Sequence, residues 1–274
     1  MIVHQGILIP RVSAVIIQKI GLMNCKPSAS MEAVLDAASD LSEACNQLIP
    51  SIIKQTIATH VTNPIEYAWK CHESYIKQYA DLGAKVLLLG MNPGPWGMAQ
   101  TGVPFGATNP VRELLKIDYP VVQPPTAHPK RPVIGVSLER QEASGMRLWG
   151  LLSDLYGNST SIHKQVYLVN HCPLLILDEK ARNVTPDKIS GSAVKSMLKV
   201  CDQHLVRVVE AMEIEHVVGV GKYAQQRALK ALSKHGVEVH TVWHPSPASP
   251  LANRNGGADW RENVSNVLRL ITAV

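Results

Sequence analysis

The run from Ala84 to Gly90 (AKVLLLG) feeds directly into a seventeen-residue segment, residues 90–106, with five glycines and three prolines. A short, continuous apolar run suits a strand buried on both faces, as in a parallel sheet covered by helices. Glycine lets backbone or ligand approach closely, and proline stiffens a loop. In open parallel sheets, the loops at the carboxyl ends of strands form the ligand crevice. The same composition would also make a long, rigid turn without a ligand.

The remaining pattern alternates strands with helices. Apolar residues from Val34 to Leu48 recur at three and four, which predicts a helix over 31–60, broken at Pro50 and restarting at Ser51. Further helices are expected at Tyr67–Ala80, Asn109–Lys116, Ser144–Tyr156, Ser192–Met212, residues 222–232 and residues 259–273. Strands are expected at residues 84–90, 166–170, 216–221 and 237–244. Residues 118–145, rich in proline and polar residues, read as a long excursion. The fold class that follows is α/β: a three-layer sandwich with a mostly parallel central sheet of about four strands flanked by helices. One domain is expected over 31–274. Residues 1–30 read as an extension, with Met23 or Met31 as alternative starts. Arg11, Lys19 and Pro10 interrupt its apolar stretch, so it falls short of a spanning helix.

Composition excludes some classes. A 46% hydrophobic content with 18% charged residues rules out wholesale disorder. The net charge of +5 permits a polyanionic partner without demanding one. The five cysteines, at 25, 45, 71, 172 and 201, contain no CxxC pair, which argues against a zinc ribbon or a closely spaced iron–sulfur ligand set. Reduced thiols are the expectation, in the cytoplasm of a bacterium or the nucleus of a eukaryote.

Four strand ends carry candidate chemistry. Asn92 and Phe105 lie in the glycine- and proline-rich segment. Asn170 ends the strand VYLVN; its amide offers a donor and an acceptor to a planar base, or, as a lone Asn more often does, caps the turn before Pro173. The neighbouring His171 reads as a ligand or, more simply, a core histidine. Gly219 and Gly221 precede a helix whose first amides favour a phosphate, or make a tight strand–helix turn. The third glycine of a dinucleotide fingerprint falls on Ala224. His244 enters the stiffened loop HPSP, where a histidine can donate to developing negative charge or serve only the fold.

In combination, GMNPGPWGMAQTGVPFG, VNHCPLL, VVGVGKYAQQRA and HPSP, in this order, resemble the single-strand-selective monofunctional uracil-DNA glycosylases. PPTAHPKRPV and SGMRLWG extend the resemblance, which runs from about residue 60 to 270. It implies removal of uracil and related bases (5-substituted uracils, xanthine, hypoxanthine) from single- and double-stranded DNA by base flipping, without strand cleavage. It implies that Asn92 positions water, His244 hydrogen-bonds the leaving uracil, Asn170 reads the base edge and Phe105 stacks on it. Met91 and Gly94 would line the base pocket. Pro245, Ser246, Pro247 and Ala248 would form the wedge that fills the flipped base's place. Arg254, Gly221 and Lys222 would face DNA. No metal or other cofactor, no membrane and a monomer are implied. Three positions depart from the family: Ala248 where animal members carry Arg, Ala107 where Glu is familiar, and Trp96 for Phe. The alternatives are a catalytically silent binder of damaged or single-stranded DNA and a nucleotide-cofactor enzyme.

Overall fold

The computed structural model describes residues 28–272. Most of the expected N-terminal extension, with the start at Met23, lies outside the described residues. In chain order the elements are α1 (Ala29–Gln55), β1 (His60–Thr62), α2 (Pro64–Tyr67), α3 (Trp69–Tyr79), β2 (Val86–Gly90), α4 (Met98–Thr101), α5 (Ala143–Tyr156) and α6 (Ser159–Gln165). There follow β3 (Val166–Asn170), β4 (Leu175–Leu177), α7 (Ser192–Ala211), β5 (His216–Val220), α8 (Lys222–Ala231), β6 (Glu238–Val242), α9 (Pro250–Asn253) and α10 (Ala258–Ile271).

Four strands form one wholly parallel sheet in the order β3-β2-β5-β6. Every residue of β2 and β3 is buried, so both faces are covered, as continuous apolar strands require. Gly219 turns toward α8: a Cβ there would lie 2.3 Å from the Gln225 nitrogen. The chain leaves β2 for β3 on one side and returns past β2 to β5 on the other. The carboxyl ends of the strands therefore open a crevice at the reversal. A second, antiparallel pair joins β1 to β4. Its partners lie more than a hundred residues apart, and no local pattern announces it.

Helix starts follow local chemistry. The Ser28 side chain accepts from Met31 N and starts α1 at Ala29. Ser30 Oγ donates to the Ala211 carbonyl, which ties the first turn to the end of α7. Asn63 caps α2 with Pro64 in its first turn, and Asn158 caps α6.

Two expectations fail. Pro50 does not break α1, which runs through it for 27 residues. Cys45 before it and Ile52 after it are both fully buried in one cluster, and that packing holds the helix across the missing hydrogen bond. The expected helix at 109–116 is a π-helical turn over Pro110–Leu114. Among the described residues, no helix is long and apolar enough to cross a membrane.

Candidate active site

A cleft of about 400 Å³ opens at the carboxyl edge of the sheet. Met91, Asn92, Gly94, Phe105, Asn170, His244 and Ser246 line it, so six candidates from three strand ends and one wedge residue converge there.

Asn92 follows β2. Its Nδ2 donates to Asn183 Oδ1 at 3.1 Å and to the Pro93 carbonyl at 3.3 Å. Asn183 Nδ2 donates to the same carbonyl at 3.0 Å. With both donors of its amide engaged, Asn92 is left with Oδ1 as an acceptor in the cleft, the group that can hold a water.

His244 sits two residues beyond β6. Ser246 N donates to its Nδ1 at 3.1 Å, so the proton of the neutral ring is on Nε2. Burial pushes the ring's pKa below the usual histidine value. The site thus holds a neutral imidazole with one N–H to give. Gly221 packs beneath it at φ +92°, where a Cβ would touch the His244 Cβ at 3.4 Å.

Phe105 and Asn170 form the floor. Both are buried. Asn170 Nδ2 lies 3.1 Å from Met98 Sδ. Gly90 lets the two side chains approach: a Cβ there would stand 2.1 Å from Asn170 Oδ1 and 2.8 Å from the Phe105 ring. Phe105 itself has φ +52°, a left-handed conformation that costs a bulky residue on the order of 1–3 kcal/mol. Trp149 Nε1 donates to its carbonyl at 3.1 Å and Ala107 N at 2.8 Å. Gly145 of α5 has no side chain in the way; a Cβ there would meet the same carbonyl at 2.2 Å. The ring is a fixed platform. Ala107 is fully buried, and nothing in the structure explains why it stands where the family carries glutamate.

Several contributors escape the sequence reading. The Glu142 carboxyl lies under the glycine-rich segment, where Cβ atoms at Gly94 or Gly97 would overlap it. Burial raises its pKa to about 7, against a hydrogen bond from the Gly145 backbone. Two glycines set close to each other were the one available signal. Arg147 of α5 fastens the loop after His244: Nη1 donates to Pro245 O at 3.0 Å and Nη2 to Asn253 Oδ1 at 3.0 Å. Asn253 Nδ2 in turn donates to Pro247 O at 2.7 Å. Gln100 ties the excursion to the cleft segment, donating to Pro95 O and Pro132 O. At the rim, the guanidiniums of Arg131 and Arg140 lie 5.1 and 4.3 Å from the Trp96 ring centre.

The remaining candidates fall outside the cleft. Pro247 and Ala248 are exposed at the loop tip, and Pro245 is buried beneath it. Arg254 pairs with Asp259 at 3.3 Å and does not line the cleft. Lys222 is exposed at the start of α8, which has no side-chain cap. The Gly221 N–H donates to Val242 O at 2.8 Å and so is not free for a phosphate. With Gly219 fitted against α8, both glycines of GVG serve the fold, which removes the basis of the nucleotide-cofactor reading. His171 is a fully buried core histidine. Its Nε2 is 2.9 Å from Asp202 Oδ1 and its Nδ1 3.2 Å from the Tyr223 hydroxyl. Arg227 holds the same carboxylate.

Residues 76–265 match the model of the uracil DNA glycosylase superfamily. Over 217 residues the chain is 44% identical to the single-strand selective monofunctional uracil DNA glycosylase of Bos taurus, covering 78% of this chain and 80% of that protein. Over 209 residues it is 43% identical to the Mus musculus protein of the same name, covering 76% and 75%. The crystal structure of wild-type Pedobacter heparinus SMUG2 superposes with a TM-score of 0.58 at 16% identity, over 88% of this chain and 96% of that one. That likeness carries the fold. With the sheet order, the convergent strand ends and these matches together, the chain belongs to the single-strand selective monofunctional branch of the uracil DNA glycosylase superfamily.

Proposed function

We propose that this protein excises uracil from DNA by hydrolysing the N-glycosidic bond and leaves an abasic site without cutting the strand. One observation carries the reading: the free Oδ1 of Asn92 and the neutral, Nε2-protonated ring of His244 line one cleft whose floor is Phe105 and Asn170. As the C1′–N1 bond breaks, its electron pair moves onto the uracil ring and collects at O2. The His244 N–H donates to that oxygen, a contribution worth roughly 3 kcal/mol or more to the transition state. Asn92 Oδ1 holds the water that attacks C1′. Its hydroxyl stays on the sugar and its proton passes to the uracil anion. An amide is not a base, and a late nucleophile does not need one.

The buried position of Phe105 supports base flipping, because a base can stack on the ring only after leaving its helix. Such stacking contributes about 1–3 kcal/mol. The Asn170 amide reads the polar edge of the base. The segment from Met91 to Gly94 lies along the cleft wall, and on this reading it admits 5-substituted uracils and, as the wider range, xanthine and hypoxanthine. The loop from Pro245 to Ala248 enters the place of the flipped base, and Lys222 and Arg254 contact phosphates nearby. The cleft is complete within one chain, which supports action as a monomer.

The test is a single-stranded oligonucleotide carrying one uracil, incubated in chelator and scored before and after alkali. Scission only after alkali is the expected result. Scission before alkali would show a lyase and overturn the monofunctional reading. Binding without scission on uracil, hydroxymethyluracil, xanthine and hypoxanthine, in single strands and duplex, would leave the silent binder. Duplexes and single strands assayed in parallel give the strand preference. Binding should weaken steeply with salt, as phosphate contacts require.

A further inference from the structure

We infer that His216, Glu238 and His240 form a binding site for one divalent transition-metal ion of the zinc class, at the end of the sheet opposite the cleft. His216 begins β5 and is register-paired with Glu238, the first residue of β6. His240 stands two residues further along β6, so period-two alternation puts all three side chains on one face. That face carries Val218, Val220 and Val242 and points away from α8, toward which Gly219 turns.

The three ligand atoms make a nearly regular triangle. His216 Nδ1 is 3.2 Å from His240 Nε2 and 3.5 Å from Glu238 Oε2, and His240 Nε2 is 3.7 Å from Glu238 Oε2. Ligands at about 2.0–2.1 Å around tetrahedral zinc lie about 3.3 Å apart. A point about 2.0 Å from all three atoms exists at the centre of this triangle, at the length of Zn–N and Zn–O bonds. Two imidazole nitrogens facing one another at this separation share at most one proton between them. A cation accepts both lone pairs and the carboxylate at once. Two imidazoles with one carboxylate select zinc, nickel or copper over magnesium or calcium, which prefer all-oxygen sets. His216 and His240 are half-buried on a rigid sheet, and Glu238 is exposed, which leaves the open side of the site to water.

The ion would clip the edge strand to its neighbour. Among the described residues β6 has only β5 for a partner, and four residues past His240, roughly 13 Å further along the chain, it delivers His244 to the cleft. The sequence shows no metal motif because His216 is separated from Glu238 by the whole of α8.

Titration of the full chain with zinc chloride, followed by calorimetry and native mass spectrometry, tests the site. At least one equivalent should bind, and one should be lost or weakened at least tenfold in His216→Ala and His240→Ala. Glu238→Gln, at an exposed position that leaves the core untouched, should also weaken binding. At a hundredfold excess over Kd, zinc should raise the melting temperature of the wild-type chain by roughly 5–10 °C, and magnesium should not. The proposal is overturned if the wild-type chain binds no zinc, if the stoichiometry and affinity are unchanged in the two histidine variants, or if magnesium gives the same shift.

Discussion

The backbone N–H of Ser246 points at His244 Nδ1 from 3.1 Å, and this one bond decides which ring nitrogen carries the proton. A second proton on the ring would have to go to Nδ1, against that N–H. Burial works in the same direction. The ring is therefore a neutral donor through Nε2, and it stays neutral below the ordinary histidine value. His244→Ala should lower kcat about 10²–10³-fold with DNA binding largely kept. In the wild-type enzyme the acid limb of the pH–rate profile should lie below pH 6.5. A limb at or above 6.5 that vanishes in His244→Gln would contradict the assignment.

Asn183 is a positioning residue for Asn92. Its Oδ1 takes the Asn92 amide N–H, and its own amide is anchored on Pro93 O. Asn183→Ala should free the Asn92 amide to rotate and reduce kcat roughly tenfold, with KM unchanged. Steady-state kinetics on a uracil oligonucleotide separates the two. A rise in KM at constant kcat would mean that Asn183 binds substrate instead.

Gly90→Ala should abolish uracil excision while leaving the chain folded. The added methyl meets the Asn170 amide oxygen and the Phe105 ring, the two groups proposed to read and stack the base, so it must displace both. A fall of at least a hundredfold in kcat/KM is expected. Wild-type activity in this variant would show that the floor is not where the base sits.

Two sets of titratable groups give stability opposite pH slopes. Burial lowers His72 and His163 to about 4 and His204 to about 3, so their contribution is present above the ordinary value of 6.5 and lost as pH falls toward 4. Burial raises Glu142 to about 7, so its neutral form favours folding below about 4.5, and that advantage is lost as pH rises through 7. Glu142→Gln should therefore stabilise the chain relative to wild type at pH 8, by roughly 2 kcal/mol, and not at pH 4. Urea denaturation at the two pH values measures the difference.

What could be read beforehand followed from local pattern. β2 and β3 are short apolar runs, and they end at Gly90 and Asn170, where the sequence pattern ends. The strand ends then fixed which residues had to meet, and Asn92, Phe105, Asn170 and His244 do meet. The contributions that escaped are non-local. Glu142, at the N-cap of α5, and Arg147, within it, act on loops 45 or more and 98 residues away, and nothing in their own neighbourhood marks them. Pro50 reads as a helix breaker in sequence because the packing of Cys45 and Ile52 on either side of it is not local information. GVG stays open between a phosphate cradle and a strand–helix turn in sequence, because glycines that admit a phosphate are the same glycines that admit a helix.

The loop after His244 is fastened through main-chain carbonyls, Pro245 O by Arg147 and Pro247 O by Asn253, and not through the side chains at its tip. Its anchorage is therefore blind to what the tip displays. Pro247 and Ala248 form an exchangeable cassette on a fixed mount. If the loop enters the place of the flipped base, as proposed, the way the protein probes a strand for lesions can change there by single substitutions, while the geometry around His244 a few residues upstream is kept.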